Sequence, residues 1–93
     1  MGVCLISYDL MTPGKDYSKI IPKIKAAYPD WWKCLDSTWM VKTDSTPQQV
    51  ANYLLQFIDG NDLLIVVPIK VGGGGVWTTS FSKECQDWLK YAL

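Results

Sequence analysis

The sequence predicts an α+β fold built on a small antiparallel sheet. Three observations predict it. Val3-Cys4-Leu5-Ile6 and Leu63-Leu64-Ile65-Val66-Val67 are short runs apolar on both faces, bounded by polar or turn residues, as in central strands. Two helical patterns alternate with the strand patterns. Trp31 to Thr43 is aromatic and β-branched on both sides of Asp36-Ser37, as in a hairpin.

The first strand, Val3 to Tyr8, ends on Asp9. Val3 and Leu5 point one way, Cys4 and Ile6 the other. A loop with Pro13-Gly14 as its turn follows. Tyr17, Ile20, Ile21, Ile24, Ala27 and Tyr28 then fall at helical spacing, with Asp16 or Ser18 as candidate caps. Pro22 inside this pattern means a late start or a kinked first turn. Pro29 ends the helix. After the hairpin, Thr46-Pro47-Gln48-Gln49 opens a second helix: threonine caps, proline takes the first helical position, and Gln49 completes a capping box. Val50, Tyr53, Leu54, Phe57 and Ile58 form its buried face, and Gly60 stops it. The strand Leu63–Val67 follows. Gly72 to Gly75 is a flexible run, and Val76–Thr79 is a candidate edge strand. A last helix begins near Ser80 or Ser82, with Phe81, Cys85, Trp88, Leu89 and Ala92 as its stripe.

The order strand-helix-strand-strand-helix-strand matches the ferredoxin-like split βαβ arrangement. It predicts a sheet in the order 4-1-3-2, two helices on one face, and an extra C-terminal segment and helix. A single domain over 1–93 is expected, with a core at 1–70, a Gly-rich linker at 71–79 and a helix at 80–93. The double-sided apolar strands require cover on the helix-free face. A homodimer through that face, the C-terminal segment, or both would supply it.

Composition limits function. Of 93 residues, 48% are hydrophobic, so a core can form. Nine Lys+Arg, all lysine, balance nine Asp+Glu. The absent basic excess disfavours a long nucleic-acid partner. The absence of histidine excludes histidine metal sites and His-based acid–base catalysis. Bidentate arginine clamps on phosphate are excluded too. Cys4, Cys34 and Cys85 are three, with no close pair, and are read as buried free thiols in a reducing cytoplasm. No run is long enough to span a membrane and the start lacks a signal-peptide shape, so the expected location is cytoplasmic.

The predicted topology brings Asp9, the Asp36-Ser37 turn and Gly60-Asn61-Asp62 to one rim, with Lys15 and Tyr17 nearby. Aspartate and serine are also common in turns because they satisfy turn backbones. That plain reading weighs more on Asp36 and Asp62 than on Asp9, which follows a buried strand directly. The glycine run lacks the lysine-serine ending of a P-loop and reads as a hinge or linker before it reads as a phosphate cradle. Trp77 beside it is a candidate stacking residue or a hydrophobic plug.

Leu5-Ile-Ser-Tyr-Asp-Leu10, Pro13-Gly-Lys-Asp-Tyr17 and Leu35-Asp-Ser-Thr-Trp39 resemble the short bacterial and phage proteins labelled SinR-like. These are similar in turn to the small CRISPR adaptation subunit and to VapD-type toxins. The resemblance implies a ferredoxin-like fold and a homodimer. In the nuclease relatives the aspartate after the first strand is the proposed metal-binding carboxylate, and Asp9 matches it.

Two functions are therefore expected. One is a non-catalytic binding protein for a small nucleotide-type ligand, without cofactor. By analogy with small phage proteins that sequester nucleotide immune signals, it would act as a sponge. Its ligand-binding residues would be Tyr8, Asp9, Lys15, Tyr17, Asp36, Ser37 and Trp77. The other is a Mg²⁺-dependent endonuclease of RNA or DNA with Asp9 as metal ligand and catalytic group. A structural dimer that docks on a protein partner is a third reading.

Overall fold

The computed structural model describes residues 2–11 and 19–93. Its strands are β1 (Gly2–Asp9), β2 (Trp31–Leu35), β3 (Thr38–Thr43) and β4 (Leu63–Ile69). Its α-helices are α1 (Ile20–Ala27), α2 (Pro47–Leu54) and α3 (Lys83–Ala92), with a short 3₁₀ turn, Leu55–Phe57, after α2. The expected caps Asp16 and Ser18, and the Pro13-Gly14 turn, lie outside the described residues. Of the two outcomes set by Pro22, the late start is the one found. α1 begins at Ile20, so Pro22 falls in its first turn, where no intrahelical donor is required. α2 carries the full capping box between Thr46 and Gln49, with proline at its start. It gives way to the 3₁₀ turn at Leu55, five residues before Gly60.

The sheet is antiparallel, in the order β2-β3-β1-β4. Read from the β4 edge this is β4-β1-β3-β2. β1 is thus central, paired with β3 on one side and β4 on the other. Period-two alternation sorts its side chains between two faces. Cys4, Ile6 and Tyr8 share one face with Trp39 and Val41 of β3. Ile20, Ile24 and Tyr28 from α1, and Val50 and Leu54 from α2, pack on them as the buried core.

Val3, Leu5 and Ser7 face the other way, with Lys42, Met40 and Thr38 of β3 as cross-strand neighbours. Here the C-terminal chain covers the β2 side. Trp32 projects to this face and meets Phe81 and Trp88, at 5.8 and 6.5 Å between ring centroids. Leu89 and Ala92 of α3 are buried. The β4 side stays open: Leu63 and Ile65 are 58% and 55% exposed. The expectation of a covered helix-free face is met over β2 and left unmet over β4.

Three expectations are corrected. Residues Val76–Thr79 form no strand; they cross as irregular chain, and the sheet has four strands among the described residues. The glycine run is not a loose linker. Gly72 and Gly74 have φ values of 93° and 68°, and their N–H groups donate to the Leu93 carbonyl oxygen at 2.9 and 3.0 Å. Positive φ is open to glycine at little steric cost, which is why this closure uses it. Finally, Cys34 and Cys85 are not free thiols but a disulfide, joining β2 to α3 across 51 residues of sequence. Their Cα atoms are 6.3 Å apart, within the range a disulfide spans. Separation in sequence concealed the pair, because the turn at Asp36-Ser37 and the return of α3 are both needed to bring it together. Closing a loop of that length stabilises a fold by roughly 4 kcal/mol in the chain-entropy account. Cys4 is the free cysteine, buried in the core, and burial pushes its thiol pKa up.

Asp30 anchors α3 as well. Its two carboxylate oxygens accept hydrogen bonds from Trp88 Nε1 at 2.9 Å and the Tyr91 hydroxyl at 3.1 Å. Trp32 Nε1 donates to the Cys85 carbonyl at 3.1 Å. Replacing Asp30 by alanine removes two charge-assisted bonds, yet leaves Trp88 and Tyr91 within reach of water. The expected loss in urea unfolding is about 1–2 kcal/mol; an unchanged midpoint would show that Asp30 does not anchor the helix.

Candidate functional site

The candidate site is an open groove at the rim where β1 ends. It follows from register. Asp9 pairs with Leu63 and Ser7 with both Thr38 and Ile65, so the end of β1 lies between the start of β4 and the β2–β3 turn. The Tyr8 N–H donates to the Ser37 carbonyl at 3.2 Å, tying that turn to β1. Ser7, Asp9, Asp36, Ser37, Leu63 and Ile65, with Tyr8 and Leu64, line a groove of about 540 Å³.

Its chemistry is that of an acceptor-rich edge over an apolar floor. Asp9 and Asp36 are exposed, so both carboxylates face solvent. The Ser7 and Thr38 hydroxyls share a hydrogen bond at 3.1 Å beside the groove. Leu63 and Ile65 supply apolar surface. Among the described residues, no lysine lines this groove. Lys33 lies on the other side of the turn, where a second hollow is shared by Tyr8, Ile21, Lys33, Asp36 and Ser37. Among the described residues, no group of three or more His, Cys, Asp or Glu side chains is placed to hold a metal ion. Among the described residues, Asp9 and Asp36 are the two carboxylates that line the groove, a partial set for a hard cation.

Four of the expected ligand residues, Tyr8, Asp9, Asp36 and Ser37, come together here. Tyr8 does so with a restricted role. Its ring is 5% exposed and belongs to the core, where its hydroxyl accepts from Trp39 Nε1 at 2.9 Å. A stacking role for that ring is therefore closed. Lys15 and Tyr17 lie outside the described residues. Trp77 is elsewhere: it lines an apolar hollow with Trp32, Met40, Phe81 and Leu89, which shares no residue with the rim groove. Asp62 reaches the rim as expected but serves the turn. Its Oδ1 accepts from the Met11 N–H at 2.9 Å and its Oδ2 from the Asp59 N–H at 2.7 Å.

Sequence reasoning missed Ser7, Leu63 and Ile65. The signal was there for Ser7, since period two places it on the same face as Asp9. For Leu63 and Ile65 the register between β1 and β4 was needed. It also missed backbone strain. Ser37 has φ 55°, a left-handed conformation that costs a non-glycine residue about 1–2 kcal/mol. Strain of this kind is held where surrounding structure enforces it, often near a site.

No protein-family model matches the chain, and no curated protein or solved structure matches it. The site's reading therefore rests on its own geometry.

Two substitutions check this account. Ser37→Gly relieves the strained φ and should stabilise the protein by about 0.5–1 kcal/mol, after the extra unfolded-state entropy of glycine is subtracted. A thermal melt reads this, and a lower midpoint would contradict it. Tyr8→Phe strips the acceptor from a buried indole N–H and should cost about 1–3 kcal/mol. Near-UV dichroism of the variant should confirm that the core still packs around Trp39.

Proposed function

We propose that this protein is a non-catalytic binding protein, acting as a dimer, whose rim groove takes the donor-bearing end of a small nucleotide-type ligand. The observation that carries the reading is the placement of Asp9 and Asp36 on one open groove with an apolar floor of Leu63 and Ile65. Two carboxylates suit the hydroxyl pair of a ribose or the amino edge of a base, because they accept and never donate when ionised. The floor suits the flat face of a base or sugar. The ligand's phosphates would lie outward, toward Lys33 beyond the turn. The balanced charge of the chain favours such a small ligand over a polymer. In a phage setting the role would be that of a sponge for a nucleotide immune signal.

The order of elements and the antiparallel β2-β3-β1-β4 sheet support a ferredoxin-like reading of the fold. They are compatible with the SinR-like resemblance. The dimer would form through the open part of the helix-free face, where Leu63 and Ile65 stand exposed beside β1. Since the same two residues floor the groove, the contact would run along the groove's edge and the ligand would be seated beside the partner subunit.

Titration calorimetry against cyclic and linear nucleotides tests the ligand. Asp9→Asn and Asp36→Asn should each weaken binding roughly ten- to a hundredfold, the loss of about 1.5–3 kcal/mol for a hydrogen bond to a charged group. Silence across the panel would overturn the reading. Sedimentation tests the dimer: Ile65→Lys should yield a monomer, and a monomeric wild type at high concentration would exclude this interface.

The same pair of carboxylates favours one second reading, a Mg²⁺-dependent endonuclease. Asp9 and Asp36, with the same residues of a second copy, would supply hard oxygen ligands, and the metal would activate water against a phosphodiester. Cleavage of RNA or DNA in magnesium that disappears in Asp9→Asn would select this reading over the first.

A further inference from the structure

We propose that the Cys34–Cys85 disulfide is an exchangeable latch: a small thiol attacks Cys34, Cys85 leaves as thiolate, and α3 undocks from β2. The first support is access. The two cysteines are half-buried, and together with Trp31, Lys33, Glu84 and Trp88 they line an open cleft of about 370 Å³. A thiolate of the size of cysteine or glutathione can enter such a space. A disulfide that serves only as a staple is more often sealed from exchange partners, and exposed bonds are the labile ones.

The second support is polarity. Cys85 sits in the first turn of α3, after the cap residue Ser82, whose Oγ accepts from the Cys85 N–H at 3.2 Å. A helix N-terminus favours a thiolate, so Cys85 is the better leaving group. Glu84, which precedes Cys85 and lines the cleft, repels an anion that approaches Cys85, so attack at Cys34 is favoured. The incoming sulfur therefore bonds to Cys34 Sγ as the Cys34–Cys85 bond breaks, and the electron pair leaves on Cys85 Sγ. A second thiolate attacks the mixed disulfide at the incoming sulfur and frees Cys34. In total, two thiols are oxidised to one disulfide, and two electrons reduce the protein bond to two cysteine thiols.

The third support is what the bond holds. α3 buries only Leu89 and Ala92 of its own residues. Its other attachments include the Asp30 bonds to Trp88 and Tyr91, the Trp32 bond to Cys85, the Leu93 carbonyl held by Gly72 and Gly74, the packing of Trp88 on Trp32, and Lys42 over the Tyr91 ring. The hydrogen bonds among them lie at partly exposed places, each worth about 0.5–3 kcal/mol and each replaceable by water. The core between the sheet and α1 and α2 does not include α3. Opening the latch thus frees the helix and bares Trp32 and Met40 while leaving that core intact.

Native protein equilibrated in glutathione buffers of increasing reduced fraction, then alkylated and mapped by mass spectrometry, tests this. The expected result is opening without denaturant, with glutathione on Cys34 in the intermediate. Cys4, buried and with its thiol pKa pushed up, stays unalkylated and reports that the core is folded. In the reduced protein, amides of α3 should exchange with deuterium at least about tenfold faster, while those of β1 and β3 keep their protection. Opening only in denaturant, glutathione found on Cys85, or equal protection of α3 in both redox states would each overturn the proposal. Cys34→Ser should reproduce the fast exchange; if that variant fails to fold, the comparison of oxidised and reduced wild type decides.

Discussion

A strand that is apolar on both faces cannot be left at a surface, and β1 is such a strand. Val3, Cys4, Ile6 and Tyr8 are all buried. Each fully buried side chain of this size contributes about 1.5–3 kcal/mol, so the arrangement that covers both faces prevails over any that exposes one. Pairing β1 between β3 and β4 satisfies its backbone. Packing α1 and α2 against Cys4, Ile6 and Tyr8 covers one side. The opposite side needs a separate solution, and among the described residues the C-terminal segment supplies one over the β2 side by folding back. The rim groove, the open β4 surface and the disulfide are all consequences of that two-sided demand.

The same demand explains why the candidate site is acidic and yet rigid. Asp9 emerges where the buried run ends, and its backbone is paired with Leu63 of β4. The turn beside it is fixed by the Tyr8 N–H bond to Ser37, and Tyr8 is in turn pinned by Trp39. The buried hydroxyl–indole bond thus lies directly behind the groove. A ligand would meet carboxylates whose positions are set by the core, which limits the entropy lost on binding. The strained φ of Ser37 fits the same account: a turn forced into place by the strands it joins.

At the other end of the molecule, polar chemistry has been spent on holding α3. Asp30 receives an indole and a phenol, the glycine run receives a carbonyl, and the cysteines form a bond. Residues that look like candidates for function when read along the chain, such as the four successive glycines, are here absorbed into structure. Asp62 is a further instance, with both carboxylate oxygens taken by backbone N–H groups. The carboxylates left facing solvent on the groove are Asp9 and Asp36, and this is what sets them apart from the other acidic residues near the rim.

Local signals sufficed for much of this. The capping box at Thr46, the apolar runs of β1 and β4, and the hairpin at Asp36-Ser37 are written in adjacent residues, because caps, alternation and turns act over a few positions. The convergence of Asp9 with Asp36 and Ser37 was legible too, since strand directions follow from the order of elements. The pairing of Cys34 with Cys85, the bond from Trp39 to Tyr8, the seat of Trp77 away from the rim and the clamp of Asp30 on Trp88 and Tyr91 were not. Each joins residues more than thirty positions apart through side-chain directions that only packing selects. The sequence by itself determined the four strands and three helices and which strand must be central, but not that Val76–Thr79 stays irregular. Only the tertiary structure decided how the C-terminal helix returns, because many returns satisfy the same alternation and only one also brings its sulfur, indole and carbonyl groups to their partners.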